Sequence, residues 1–175
     1  GDEVEIHSST VIGSDAFYFN TKKNREVWYK KMSSCGIVLL EDNVEIGAGC
    51  TIHRGVSAVT KIGKGTKFDN LVHIGHDTVI GKNCLIAAQV VVAGCVIIED
   101  GVTLWGQVVV NKTLTIGANA VLLGTSGVTH SLEGNKQYWG TPAQDAGRAR
   151  RAWVGIKRTQ QFGERARWNG KEVVI

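Results

Sequence analysis

A large apolar side chain returns at every sixth residue through the middle of this 175-residue chain. Ile62, Phe68, Ile74, Ile80, Ile86, Val92, Ile98, Leu104, Val110, Ile116, Leu122 and Val128 follow at that step without a miss, and Leu40, Ile46 and Ile52 extend it upstream. Ile6 and Ile12 show the same step near the amino end. Four places after such a residue stands a small or aliphatic one (Thr66, Val72, Thr78, Cys84, Val90, Val96), and glycine often follows it directly, as at Gly47, Gly63, Gly75 and Gly81. A helix needs apolar steps of three and four, and a simple strand needs two, so six excludes both as continuous elements. A short strand and a turn, repeated with every turn alike, satisfies it. Three hexads close a triangular coil of about 18 residues, and coils stack at the ~4.8 Å spacing of neighbouring strands. The large residue then points inward on each face, the small one fits near each corner, and glycine relieves crowding where the backbone bends.

Two interruptions break the period. From Ile52 to Ile62 the step is ten, so four extra residues bulge out around Val56 to Val59. Between Ile12 and Leu40 lies a longer excursion with Phe17, Tyr18, Phe19, Trp28 and Tyr29. Such a loop either packs on the coil or builds a binding wall. The 22 glycines and single proline exclude collagen and proline-rich linkers. With 43% hydrophobic residues and a formal charge of +4, the chain is neither disordered nor a polyelectrolyte. No apolar run approaches the ~18 residues of a membrane span, so no transmembrane segment is expected, and no signal peptide is visible. Cys35, Cys50, Cys84 and Cys95 form no CxxC pair and are expected to be buried free thiols in a reducing cytoplasm. Gly1 occupies the position after an inward aliphatic, so the chain is expected to be a piece of something longer.

The repeat resembles that of the hexapeptide-repeat proteins, whose fold is a left-handed parallel β-helix. The hand comes from the resemblance, since the usual crossover rule favours the opposite one. The expected fold is therefore all-β: a left-handed parallel β-helix over 1–133, with an aromatic loop inserted at 17–39, and a basic helix and tail over 134–175. Repeat coils alone name no activity. The superfamily includes trimeric acyltransferases with active sites between neighbouring helices, γ-class carbonic anhydrases and structural subunits.

The polar residues narrow these choices. A zinc site needs several imidazoles converging on one point. His73 and His76 are three apart, Gly81 stands where a partner five beyond His76 would be, and His130 is 54 residues past His76. No metal site is expected. A stronger signal lies in KFDNLVHIGHDTVIGKNCLIAAQVVVAG. Asp69 and Asn70 precede His76 by seven and six residues, and Gly94 follows it by 18, hence one coil above. An imidazole, with an unperturbed pKa of ~6.5, suits proton removal near neutrality when a carboxylate is nearby. A glycine one rung above can expose its N–H to a developing oxyanion.

Within the superfamily the chain resembles the UDP-3-O-acylglucosamine N-acyltransferases of lipid A synthesis from about Val4 to Arg158. The matching segments are HSSTVIGSD, LEDNVEIGAGCTI, DNLVHIGHD, IAAQ and SGV…WGTPA. The resemblance implies that His76 deprotonates the glucosamine 2-amine as it attacks a 3-hydroxyacyl thioester on acyl carrier protein. It implies that Asp69 supports His76, that Asn70 contacts the phosphopantetheine arm, that Gln89 joins substrate binding and that the Gly94 amide holds the oxyanion. It further implies a cytoplasmic homotrimer, a nucleotide-sugar acceptor, a phosphopantetheine-linked donor and no tightly bound cofactor. There are departures. His53 replaces a usual aspartate, Val91 and Val109 replace usual glycines, Thr113 stands where a second histidine is often found, and the family's amino-terminal uridine-binding domain is absent from this sequence. Two alternatives remain: an acetyl-CoA-dependent sugar acetyltransferase, and a catalytically silent scaffold coil.

Positive charge gathers at the carboxyl end. From Arg148 to Lys171 there are eight basic residues and one acid, whereas the rest of the chain holds twelve basic and fifteen acidic. Ala149, Trp153 and Ile156 fall at steps of four and three, so a short helix is expected to pack that face and expose arginines. Such a patch suits an acidic acyl carrier protein. Aromatic residues hardly interleave with the basic ones, so nucleic acid is not an expected partner. Beyond Gly163 the pattern is lost and fraying is expected.

Overall fold

The computed structural model describes residues 1–165, 167, 168, 173 and 174, with side chains described as far as Ile156. The six-residue period builds a triangular left-handed β-solenoid with three parallel sheets as its faces. The first face stacks Glu5–Ile6, Glu45–Ile46, Lys67–Phe68, Leu85–Ile86, Thr103–Leu104 and Val121–Leu122, and Gln137–Trp139 continues it. The second stacks Val11–Ser14, Thr51–His53, His73–Ile74, Val91–Val92, Val109–Val110 and Gly127–Val128. The third stacks Ile37–Leu40, Val59–Ile62, Val79–Ile80, Ile97–Ile98 and Thr115–Ile116. Register follows the repeat: Leu85 pairs with Lys67 below and Thr103 above, a step of 18 each way. The step between Glu45 and Lys67 is 22, and that between Glu5 and Glu45 is 40. The excess over 18 is the four-residue bulge in the first case and the aromatic excursion in the second.

The inward residues form one continuous core. Ile46, Ile52, Ile74, Ile86, Val92, Leu104, Val110 and Leu122 have no exposed surface, and the small corner residues Thr66, Thr78, Val90 and Val96 are equally buried. Each buried threonine hydroxyl is satisfied across the coil: Thr66 donates to the Gly81 carbonyl at 2.8 Å and Thr78 to that of Ala93 at 3.0 Å. These bonds offset the cost of placing a hydroxyl in an apolar column.

Glycine has a different role from the one its spacing suggests. Backbone bends at the corners go through left-handed conformations, and mostly non-glycine residues occupy them, among them Leu71, Asp77, Asn83, Gln89, Cys95 and Thr113. Gly75 is needed for proximity instead. A Cβ there would lie 2.5 Å from the Gly94 nitrogen and 2.6 Å from the Ala93 carbonyl carbon. The cysteines also divide. Cys50 and Cys84 fill the core, but Cys35 and Cys95 are exposed, correcting the expectation of four buried thiols. Cys95 stands on a left-handed corner and Cys35 in the excursion, so neither shares the inward positions of the repeat.

At the carboxyl end Gln144–Asp145 turns back antiparallel to Gln137–Trp139. The Asp145 side chain then accepts the Arg148 N–H at 2.9 Å, an N-cap that starts a helix over Ala146–Arg165. This is the carboxyl-terminal helix expected, twenty residues long. Of the anticipated packing face, Ala149 is buried, while Trp153 and Ile156 are each 53% exposed. Trp153 stacks on Trp139 at 6.4 Å between ring centres. Among the described side chains, the buried ones of this helix are Ala146 and Ala149, in its first turns. The basic residues from Lys157 onward and the fraying expected beyond Gly163 fall outside the described side chains. Among the described residues no helix is long and apolar enough to cross a membrane.

Candidate functional site

The site is built at the corner that leads from the second face to the third. His76 follows His73–Ile74, and Gly94 occupies the same corner one coil above. The two are in close apposition: a Cβ on Gly94 would lie 2.6 Å from His76 Nε2, 2.8 Å from Cε1 and 2.9 Å from Cδ2. Only glycine leaves room for the imidazole to lie against the next rung. Its N–H is also open. At four corners of this kind the amide is capped by an acceptor side chain from an adjacent coil, whereas at others, Ala88 and Gly106 among them, no acceptor among the described residues reaches it. Ala48 is capped by Asn70 at 2.8 Å, Lys64 by Glu41 at 2.9 Å, Lys82 by Asp100 at 2.7 Å and Ala118 by Glu99 at 2.8 Å. Gly94 has His76 below and Lys112 above, and among the described residues no acceptor caps its amide.

The carboxylate beside His76 is Asp77, not the expected Asp69. Asp77 takes a left-handed conformation (φ 55°), which folds its side chain back so that Oδ2 lies 2.8 Å from His76 Nδ1. The four-residue bulge exists around this group. Val56 N–H donates to Oδ2 at 3.0 Å and Ala58 N–H to Oδ1 at 3.1 Å, while a Cβ on Gly55 would lie 2.6 Å from Oδ1. The Asp77 N–H donates to Thr60 Oγ1 at 2.9 Å. Burial alone would raise the Asp77 pKa, but the hydrogen bonds from His76, Val56 and Ala58 outweigh it and hold the carboxyl below the ordinary range. An ionised carboxylate only accepts, so the imidazole keeps its proton on Nδ1. In the neutral ring Nε2, facing Gly94, then carries the lone pair.

A consequence follows for acid. A carboxyl with a lowered folded pKa contributes stability that is fully present above its unfolded value, ~3.9, and is lost as pH falls through the folded one. Protection of the Val56 and Ala58 amides from hydrogen exchange should therefore hold down to about pH 4 and collapse below it. In Asp77→Ala the same amides should be poorly protected at every pH. Equal protection in both proteins would contradict the tether.

Asp69 stands at the preceding corner, between the first and second faces. Its Oδ1 accepts the adjacent Asn70 N–H at 2.7 Å, and it lines a shallow cleft with Lys67, Leu85 and Trp105. Seven residues span one whole face, so Asp69 and His76 occupy successive corners. Asn70 and Gln89 keep company with Asp69. The Asn70 carbonyl accepts the Gln89 N–H at 3.1 Å, and the Gln89 side chain accepts from Gln107 at 2.8 Å. Within one chain, then, His76 and Gly94 come together, while Asp69, Asn70 and Gln89 form a separate group at the other edge of the second face.

Around His76 and Gly94 opens a cleft of about 730 Å³. Gly75, Val91 and Ala93 form its floor, Cys95, Lys112 and Thr113 its upper rim, and Phe17 and Tyr18 one wall. The Tyr18 ring meets His76 edge-on at 5.7 Å, so the aromatic excursion closes the site as well as packing on the coil. Its hairpin, Phe19–Thr21 against Tyr29–Lys31, is tied down by Ser34 accepting the Ala16 N–H at 3.0 Å. His53 and His73, given no role by their spacing, also line this cleft, their rings 4.7 Å apart. Burial lowers the pKa of both. For His53 the neighbouring His73, His76 and Lys31 add to the effect. Thr51 Oγ1 holds His73 Nδ1 at 2.7 Å.

Comparison with known proteins agrees with this architecture. The bacterial transferase hexapeptide pattern (six repeats) matches residues 60–94 and 78–112. The UDP-3-O-acylglucosamine N-acyltransferase of Methylobacterium nodulans is 41% identical over 158 residues, covering 90% of this chain and 44% of that protein. The Campylobacter lari protein of the same name is 46% identical over 132 residues, or 75% of this chain and 41% of that one. The chain thus spans less than half the length of these relatives. In solved structures, the UDP-N-acetylglucosamine O-acyltransferase of Moraxella catarrhalis superposes with a TM-score of 0.70 at 25% identity, covering 82% of this chain and 53% of that one. The Francisella novicida UDP-N-acetylglucosamine acyltransferase gives 0.71 at 26% identity, covering 81% and 49%. Repeat, left-handed solenoid and these relatives agree: the chain carries the bacterial transferase hexapeptide repeat and is related in sequence to part of the UDP-3-O-acylglucosamine N-acyltransferases.

Proposed function

We propose that this chain carries the catalytic solenoid of an N-acyltransferase that moves a 3-hydroxyacyl group from acyl carrier protein to the 2-amine of a UDP-3-O-acylglucosamine, a step of lipid A synthesis. The observation that carries the reading is the apposition of His76 Nε2 and Gly94, with its uncapped N–H, across one rung in a cleft floored by apolar residues. His76 Nε2 takes a proton from the amine as its nitrogen attacks the thioester carbonyl carbon. The oxygen gains negative charge and receives the Gly94 N–H. Collapse of the tetrahedral intermediate breaks the carbon–sulfur bond, and the imidazolium returns its proton to the departing thiolate. The products are an amide and free phosphopantetheine thiol. No step is assigned to a metal or to a tightly bound cofactor. Asp77 positions the imidazole and stabilises its charged form.

Asp69, Asn70 and Gln89 enter this reading through assembly. They flank the second face at the edge opposite His76, so a homotrimer packing this face against its neighbour's would bring them to another copy's cleft. There Asn70 and Gln89 would meet the phosphopantetheine arm, and Asp69 would add negative charge near the base. The basic start of the carboxyl-terminal helix, with Arg148, Arg150 and Arg151, suits an acidic carrier protein. The proposed setting is cytoplasmic, where carrier protein and nucleotide sugar meet.

Release of free thiol from 3-hydroxyacyl carrier protein, with the acylated UDP-glucosamine as acceptor, tests the reading. Turnover should depend on both substrates, for this chain or for this chain joined to a relative's uridine-binding domain. Absence of turnover in the joined protein would overturn the proposal. A preference for acetyl-CoA would point to a sugar acetyltransferase instead.

A further inference from the structure

The cleft holds one reactive group that acyl transfer does not use, the thiol of Cys95. Cys95 occupies the same left-handed corner as Asp77 one coil higher, with φ of 61° against 55°. Its N–H donates to the His76 carbonyl at 2.8 Å, which fixes its height above the His76–Asp77 pair. As a result Cys95 Sγ, a carboxylate oxygen of Asp77 and a ring nitrogen of His76 all lie within 4.8 Å of one another. This is a mixed ligand set assembled across two rungs. It is not the cluster of imidazoles whose absence argued against a metal.

The separations come close to those that a small divalent cation demands. Tetrahedral zinc, with bonds of ~2.3 Å to sulfur and ~2.0 Å to nitrogen and oxygen, needs its ligand atoms about 3.3–3.6 Å apart. Side-chain rotations of about 1 Å close that gap from the observed limit, and Cys95, being exposed, has room to make them. Thiolate, imidazole and carboxylate together suit Zn²⁺ better than a hard cation. The fourth position falls to water on the open side of the cleft. Two anionic ligands offset the cation's charge. Burial and the Asp77 carboxylate, against the Lys112 ammonium, hold the Cys95 thiol above its ordinary pKa, so its proton leaves only as the cation takes its place.

We propose that His76, Asp77 and Cys95 form an inhibitory Zn²⁺ site, in which the cation displaces the thiol proton into solvent and occupies the groups that acyl transfer requires. The site goes beyond the acyl-transfer reading, because its occupancy is measured without turnover. Co²⁺ serves as the spectroscopic probe of the folded protein in a non-thiol reductant. One Co²⁺ per chain should give a near-ultraviolet thiolate-to-cobalt charge-transfer band that Zn²⁺ displaces. Cys95→Thr should abolish the band and weaken Zn²⁺ binding at least tenfold by calorimetry. Threonine already occupies this corner with positive φ one coil higher, at Thr113. Should that variant not fold, as judged by circular dichroism, Cys95→Ser is read in the same way. No band in the unaltered protein, or a band that survives in the folded variant, would overturn the site. Where turnover is measured, Zn²⁺ should suppress it reversibly to chelator, with at least tenfold more needed for the Cys95 variant relative to its own metal-free rate. Metal bound through Cys95 without loss of turnover would overturn the inhibitory role.

Discussion

His76→Ala is expected to lower acyl transfer by about 10²–10⁴-fold, the range lost with a positioned general base. The fall should appear in kcat, because the imidazole acts on a proton in flight and contributes little to holding either substrate. The fold should survive. His76 lies outside the inward column, so its removal opens no core cavity, and circular dichroism and the urea midpoint should stay close to those of the parent. Its ring contact with Tyr18 is lost, which loosens the wall of the cleft without reaching the sheets. A variant that folds and turns over at the parental rate would remove His76 from the mechanism.

Gly94→Ala tests the same site from the next rung. The added methyl would sit 2.6 Å from Nε2, closer than a Cβ approaches any unbonded atom. The imidazole has little freedom to yield, since Nδ1 is tied to Asp77 and Tyr18 stands beside the ring. Something must shift, and a displacement near 1 Å at a reacting group costs on the order of 10²-fold in rate. Overpacking should cost about 1–3 kcal/mol of stability. Turnover should therefore drop about a hundredfold while the protein remains folded at room temperature. Full activity in Gly94→Ala would mean that the two residues do not act as a pair.

The solenoid is legible in the sequence because a six-residue period has so few physical solutions. Ile62 through Val128 gave the core, and the ten-residue step after Ile52 and the excursion after Ile12 located both insertions. His76 and Gly94 were legible for the same reason, since a separation of 18 is one coil. What escaped depended on local conformation. Neighbours on a strand point to opposite sides, so nothing in the period recommends Asp77 as a partner for His76. The left-handed turn at Asp77 creates that contact, and an HD pair at a corner was its only trace. Asp69 illustrates the converse: a short separation in sequence carries it across a full face. The nearness of Cys95 to the pair likewise comes from two corners in the same left-handed state, which spacing suggests and backbone angles decide.

The bulge over Val56 and Ala58 separates two tasks that share one backbone. The repeat needs none of those four residues to close its coils, yet their amides hold the carboxylate that orients the base. Changes in that loop are thus free to retune proton transfer while the hydrophobic column stays as it is. A column so indifferent to its ornaments offers evolution a chassis on which reactivity is adjusted from outside.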